Sequence, residues 1–302
     1  MRLASSVFAS ASQTAGRPRW VKRLGRGLVT AGSLYSAVCL AAWLLYPRLL
    51  YPAPRRAVVA PEELPPGCEE LTLPAEAGAP PVRALRWRAA GASLPTLVWF
   101  HGNGEIVDDL LPLGALYASE GLGFVAMEYR GYGRSAGSKA TELGLYADAE
   151  RLLRALERER EERSARGEST SGPLVVVGYS LGSAIAAELG ARGRGDRYVL
   201  VAAFTSITDV ASRIAPILPA RLILSERFDT LAKAPHLRSP LLIHGADDEL
   251  VPIDMGRAVA AASGARFVAV PSGRHGTVLV VGGGAALREI STFARAAVRA
   301  AP

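Results

Sequence analysis

Val175-Val176-Val177-Gly178-Tyr179-Ser180-Leu181-Gly182 is the stretch on which the reading of this chain turns. Three β-branched residues in a row suit a strand buried on both faces. The G-x-S-x-G that ends it, and the helical stretch 183–189 that follows, predict a strand turning sharply into a helix. Glycines fit at 178 and 182 because side chains flanking the serine would collide in so tight a turn, and its strain holds the Ser180 hydroxyl out at the sheet's edge. A helix starting there also aims backbone N–H groups at any anion forming beside it. A serine that merely caps the helix is the plainer alternative.

Outward from this turn, apolar strand-like runs at 82–87, 96–100, 123–128, 174–177, 198–203, 241–244 and 267–270 alternate with helical stretches. Such alternation predicts an α/β fold with a mostly parallel central sheet and helices on both faces. The clearest helix has Leu145, Ala149, Leu152, Leu153 and Leu156 on one stripe and ends in an Arg/Glu run to Arg163, which reads as a solvated face.

A serine hydroxyl attacks carbonyls only when a base takes its proton. Of the four histidines, His101 and His244 each follow a strand and precede glycine, which suits strand-end turns, and His236 lies between prolines. His275 stands in a polar loop after the last strand, at the edge where sites of open α/β sheets gather, and is the candidate base. Its imidazolium would need an anion beside it. Asp247, Asp248 and Glu249 follow the strand 241–244, and the chain order serine, acid, histidine matches that of a known hydrolase arrangement. Asp247 and Asp248 both remain open on this ground. For an oxyanion the candidate donors are the backbone N–H groups of Asn103, in the glycine-rich bend after the strand 96–100, and of Leu181.

Gly131-Tyr132-Gly133-Arg134-Ser135-Ala136 formally fits a dinucleotide fingerprint, but Gly137 and Ser138 prolong a loop where a helix should open. No P-loop or HExxH occurs, and the two cysteines, Cys39 and Cys68, supply neither an intradomain disulfide nor a metal set. No cofactor and no metal is expected.

The 302 residues carry a formal charge of +7. Nine of the 35 basic residues lie before position 61, where there is no acid, so 26 remain against 28 acids downstream. The body is therefore slightly acidic, which argues against a nucleic-acid partner. Residues 27–46 (GLVTAGSLYSAVCLAAWLLY) are 20 uncharged, mostly apolar residues, and about 20 helical residues cross a bilayer core. Six basic residues precede this run, so the positive-inside rule assigns 1–26 to the cytoplasm and the body to the other side. A cleaved signal peptide shares these features, but Trp-Leu-Leu-Tyr-Pro is no small-residue cleavage site. A lipid-modified Cys39 would follow Val38, which is too large for that position. The expected order is a basic N-terminus at 1–26, a single-pass signal anchor at 27–46, a Pro-rich linker at 47–69 and a catalytic domain at 70–302. A segment at 207–231 could cap an acyl pocket or pack on the sheet.

Several motifs together resemble the α/β-hydrolase superfamily, within it the membrane-anchored branch that includes protein depalmitoylases. They are LLYP at 49–52, HGNG at 101–104, EYRGYGRSAGS at 128–138, GYSLGSAIA at 178–186, FTSITDV at 204–210, HGADDELVP at 244–252 and GRH at 273–275. The resemblance covers roughly residues 70–300. It places the acid at Asp248 and the base at His275, and it departs at Ser183, where the branch usually has Gly, and at Gly276-Thr277. It implies a membrane-anchored serine hydrolase acting on carboxylic esters or thioesters, including lipid-like ones, through Ser180, His275 and Asp248. A serine peptidase of the same fold and a non-catalytic tethered binding protein are the alternatives.

Overall fold

A computed structural model describes residues 19–76, 78–167 and 172–299; most of the basic N-terminal segment lies outside the described residues. The chain divides into two compact units, Met1–Leu45 and Tyr46–Pro302. In the first, the described residues are helical, part of α1 (Arg19–Leu50), and large apolar side chains such as Leu28, Leu34 and Trp43 are exposed. The stretch Arg23–Leu50 is long and apolar enough to cross a membrane.

The second unit is built on eight strands: β1 (Cys68–Leu73), β2 (Val82–Trp87), β3 (Thr96–Phe100), β4 (Gly123–Met127), β5 (Leu174–Tyr179), β6 (Arg197–Val201), β7 (Leu241–Gly245) and β8 (Arg266–Val270). Their order in the sheet is β1-β2-β4-β3-β5-β6-β7-β8. β1 and β2 run antiparallel to their neighbours and all other pairs are parallel. The apolar runs are continuous because both faces are covered. Val98, Val176, Leu200 and Leu242 point into one core, and Leu97, Trp99, Val175, Val177, Val199 and Ile243 into the other.

Helices α2 (Leu111–Ser119), α3 (Glu142–Ala165), α4 (Leu181–Ala191), α8 (Ile253–Ser263) and α9 (Val281–Arg299) surround the sheet. Between β6 and β7 the chain makes only short helices: α5 (Ile207–Ile214), α6 (Ala220–Ile223) and α7 (Thr230–Lys233). α3 starts at a Thr141 cap whose hydroxyl accepts from the Gly144 amide, and it buries the five stripe residues read from sequence. α9 opens on Gly282, Gly283 and Gly284, all in left-handed conformation, which glycine adopts without a Cβ penalty.

Three expectations need correction. Pro47 does not end the helix, which continues to Leu50; so close to a terminus, the missing N–H removes a single bond. The linker is shorter than 47–69, since β1 begins at Cys68, and it is not a free spacer. Tyr51 donates to Glu226 at 2.5 Å, the Val59 amide donates to Asp108 at 2.8 Å, and Arg134 donates to the Val59 carbonyl at 2.7 Å. The Arg/Glu end of α3 is not simply solvated. Glu159 binds both Arg86 and Arg88, and Glu157 binds Arg194 and the Gly195 amide.

Candidate active site

The serine at the end of β5 is held by backbone, not by its own preference. Ser180 has φ +51° and ψ −114°, a conformation L residues rarely adopt. Its amide donates to the Val201 carbonyl at 2.9 Å, and its carbonyl accepts from Ser183 at 2.9 Å, so both sides of the turn are fixed. The two glycines are sterically required: a Cβ on Gly178 would run into the Gly182 carbonyl, and one on Gly182 into the Phe100 carbonyl. Ser180 remains 9% exposed, at the carboxyl edge of the sheet.

The loops after β7 and β8 are stitched to each other. Ala246 donates to the Val270 carbonyl and Asp247 to the Gly273 carbonyl, each at 2.9 Å, and a Cβ on Gly245 would strike Gly273. This brings His275 over the serine. His275 Nε2 lies 2.9 Å from Ser180 Oγ, and its Nδ1 lies 2.8 Å from Asp248 Oδ2. Asp248 is buried while Asp247 and Glu249 are exposed, which separates the candidates that sequence left open. Its second oxygen, Oδ1, accepts from the Leu250 and Val251 amides at 3.1 and 2.8 Å, leaving Oδ2 turned to the imidazole.

Tyr179, which the sequence does not single out, and His244, which it marks only as a turn residue, complete the frame. Tyr179 donates its hydroxyl to the His275 carbonyl at 2.6 Å, and its ring stacks near the imidazole, centroids 5.6 Å apart. Burial raises the Tyr179 pKa, with Glu105 and Asp248 adding to it, so the phenol keeps the proton it donates. His244 is fully buried, as expected of a strand-end histidine. Its Nε2 lies 2.8 Å from the Val251 carbonyl, which requires the proton on that nitrogen, and 3.6 Å from Asp248 Oδ2. Burial lowers its pKa, keeping it neutral beside the acid loop. Tyr179 is the free position of G-x-S-x-G and carries no sequence signal; His244 was legible only as a turn residue.

The bend after β3 is equally constrained. The Gly102 amide donates to Glu105 at 2.7 Å, the Asn103 carbonyl accepts from Tyr132 at 3.1 Å, and the Asn103 side chain donates to the Leu50 carbonyl at 3.3 Å. Leu181 is the first residue of α4, so its N–H has no intrahelical acceptor. His101 is buried and stacked on Tyr129, away from the serine's hydrogen bonds. The loop 131–136 opens no helix beyond a single turn of 3-10 type, and Arg134 within it is spent on Asp108 and Glu70. Among the described residues no group of three or more His, Cys, Asp or Glu is placed to hold a metal ion.

Residues 92–229 match the family model described as serine aminopeptidase, S33. The chain is 27% identical over 264 residues to the protein Rv2307c of Mycobacterium tuberculosis, covering 85% of this chain and 90% of that one. It is 29% identical over 187 residues to the lysophosphatidylserine lipase ABHD12 of Danio rerio, covering 55% and 46%. Among solved structures, a puromycin-hydrolyzing peptidase of M. tuberculosis superposes with a TM-score of 0.60 at 17% identity, over 76% of this chain and 39% of that one. By these matches and by its sheet, the chain has the α/β-hydrolase fold and is similar to hydrolases of that superfamily, including its membrane-anchored branch.

Proposed function

We propose that the protein is a membrane-anchored serine hydrolase that cleaves carboxylic esters or thioesters through an acyl-enzyme. The observation that carries this reading is the continuous relay Ser180 Oγ, His275 Nε2, His275 Nδ1, Asp248 Oδ2, with contacts of 2.9 and 2.8 Å. Ser180 Oγ attacks the carbonyl carbon while His275 Nε2 takes its proton, and Asp248 holds the imidazolium. The oxyanion is met by the Asn103 and Leu181 amides. Collapse expels the alcohol or thiol, which leaves with the proton from Nε2. Water then attacks the acyl-serine, giving its proton to the same nitrogen, and the acid departs as Ser180 recovers its own.

Anchoring rests on the apolar stretch Arg23–Leu50 and on the basic residues before it, which favour a catalytic domain on the non-cytoplasmic side. The segment 207–231 emerges from the carboxyl edge of the sheet, as Ser180 does, and so is suited to cap the site.

The test is labelling of the membrane fraction by a fluorophosphonate probe, with hydrolysis of matched ester, thioester and aminopeptide substrates. The native chain labels and cleaves the ester or thioester, and Ser180→Ala does neither. Equal labelling of both chains overturns the assignment. The description of the matching family favours a second reading, a serine peptidase using the same residues; preference for the aminopeptide substrate would select it.

A further inference from the structure

The bend after β3 lies against the turn that carries Ser180. Phe100 pairs in register with Gly178, and a Cβ on Gly102 would meet the Tyr179 ring. Three successive carbonyls of the bend are each held by a side chain. That of His101 accepts from Tyr129 Oη at 2.6 Å, that of Gly102 from His101 Nδ1 at 2.7 Å, and that of Asn103 from Tyr132 Oη at 3.1 Å. A carbonyl only accepts, so His101 Nδ1 carries the proton of that bond. The Asn103 N–H, by contrast, has no acceptor among the described residues. It shares a planar trans peptide with the Gly102 carbonyl, so a hold on that carbonyl aims the N–H to the opposite side.

Asn103 is gripped a second time from residues 50–53, which belong to the same compact unit. Its side-chain Nδ2 donates to the Leu50 carbonyl at 3.3 Å. The Ala53 backbone N–H donates to Tyr132 Oη, the oxygen whose proton goes to the Asn103 carbonyl. Burial raises the Tyr132 pKa against that bond, so the phenol keeps the proton it donates. Ala53 has φ +39°, a left-handed conformation that a residue with a Cβ holds only where its surroundings impose it. The segment is itself pinned. Leu50 is buried, Tyr51 donates to Glu226 at 2.5 Å, and the Tyr51 ring meets Phe228 edge-on with centroids 6.3 Å apart.

We infer that residues 50–53 form a strap for the oxyanion donor, and that Tyr132 and the Asn103 side chain are positioning residues. They tie the Asn103 peptide to the Ala53 amide and the Leu50 carbonyl and keep its unpaired N–H turned to the reacting carbonyl. This inference rests on the serine-hydrolase reading and deepens it. The tetrahedral intermediate gathers its new charge on the carbonyl oxygen, and an amide fixed beforehand needs no reorganisation as that charge develops. A slack bend would bind neutral substrate as before and lose only its share of transition-state binding.

The test uses the full chain in detergent micelles with a water-soluble short-chain ester and an alkyl trifluoromethyl ketone, which adds to the serine as a mimic of the tetrahedral intermediate. Tyr132→Phe removes the hydroxyl. Asn103→Leu removes the side-chain donor and keeps the backbone N–H, and Tyr51→Phe frees the strap from Glu226 without touching the bend. Tyr132→Phe and Asn103→Leu are each expected to lower kcat about tenfold with KM within about twofold, and to weaken the ketone by the same factor as kcat. Tyr51→Phe is expected to lower kcat and weaken the ketone about threefold. Arg55→Ala, exposed and outside the strap, stays within about twofold of the native chain on both measures. Unchanged kcat in Tyr132→Phe and Asn103→Leu, or a fall in kcat with no weakening of the ketone, overturns the positioning role. Native kinetics in Tyr51→Phe overturn the strap. Should Tyr132→Phe fail to fold, Asn103→Leu carries the test, since Asn103 is only half-buried. A native chain that the ketone does not inhibit, or a Ser180→Ala chain that still cleaves the ester, overturns the hydrolase reading itself, so the two failures are distinguished.

Discussion

Tyr179 Oη donates to the backbone carbonyl of His275 at 2.6 Å, so the residue immediately before the serine holds the proposed base in place. A substitution that removes only this hydroxyl tests whether the bond positions the imidazole. Tyr179→Phe is expected to lower kcat about 3- to 30-fold with KM little changed, and to cost about 0.5–1.5 kcal/mol of stability. Steady-state kinetics with a soluble ester and urea unfolding of the same preparation separate the two effects.

The backbone of Ser180 stores strain that a glycine would not feel. Ser180→Gly is expected to raise the unfolding free energy by about 1 kcal/mol or more while abolishing turnover, because φ +51° with ψ −114° is accessible to glycine. Ser180→Ala removes the hydroxyl but keeps the strain, so comparing the unfolding midpoints of the two variants isolates the backbone contribution.

Gly182 has no room for a methyl group, since its Cβ would occupy the space of the Phe100 carbonyl at the end of β3. Gly182→Ala is expected to cost more than about 3 kcal/mol, through forced separation of α4 from β3. Loss of soluble expression or a fall in melting temperature reports it; Gly276→Ala, where a Cβ meets open space, serves as the control.

His244 makes stability depend on acidity. Its pKa is lower in the folded chain than its ordinary value of 6.5, chiefly through burial. The unfolded chain therefore binds a proton more readily, and stability present above about pH 6.5 is lost as pH falls towards the folded value. The urea midpoint of the native chain is expected to drop between pH 7.5 and 5.5. His244→Asn removes the titrating ring and is expected to shrink that drop, while lowering the midpoint at pH 7.5 because the Val251 carbonyl loses its donor.

Arg134, almost fully buried, binds Asp108, Glu70 and the Val59 carbonyl at once. Arg134→Ala is expected to destabilise by about 3 kcal/mol, since Asp108 is left without its cation while Glu70 keeps only Arg83. Limited proteolysis should then cut near Val59, whose neighbours the arginine tethers.

Much of the architecture was readable because buried parallel strands announce themselves as apolar runs. β2 and β3 lie where their runs predict, and the turn at Ser180 follows from its two glycines. β1 was not legible: an edge strand carrying Glu69 and Glu70, with alternating exposure, has no apolar run to betray it. In the candidate site, Ser180 is read from its strand-turn-helix motif and His275 from its loop position, whereas chain order leaves Asp247 and Asp248 open and the choice between them depends on resemblance. Adjacent aspartates look alike in sequence, and only the loop's path buries one and exposes the other. Tyr179, Arg134 and the tethering of residues 51–59 carry no sequence signal because their partners lie 26 to 175 residues away or because they stand at a position the motif leaves free.

The tether between β1 and the helix before it has a practical corollary for anyone cutting the protein down to a soluble form. Starting at residue 70 would discard a third of the first strand, the Val59 carbonyl that accepts from Arg134 and the Leu50 carbonyl that steadies Asn103. Starting at Tyr46 would keep all three while shedding most of the greasy leader, and such a trimmed enzyme is the one to take into crystallisation trials.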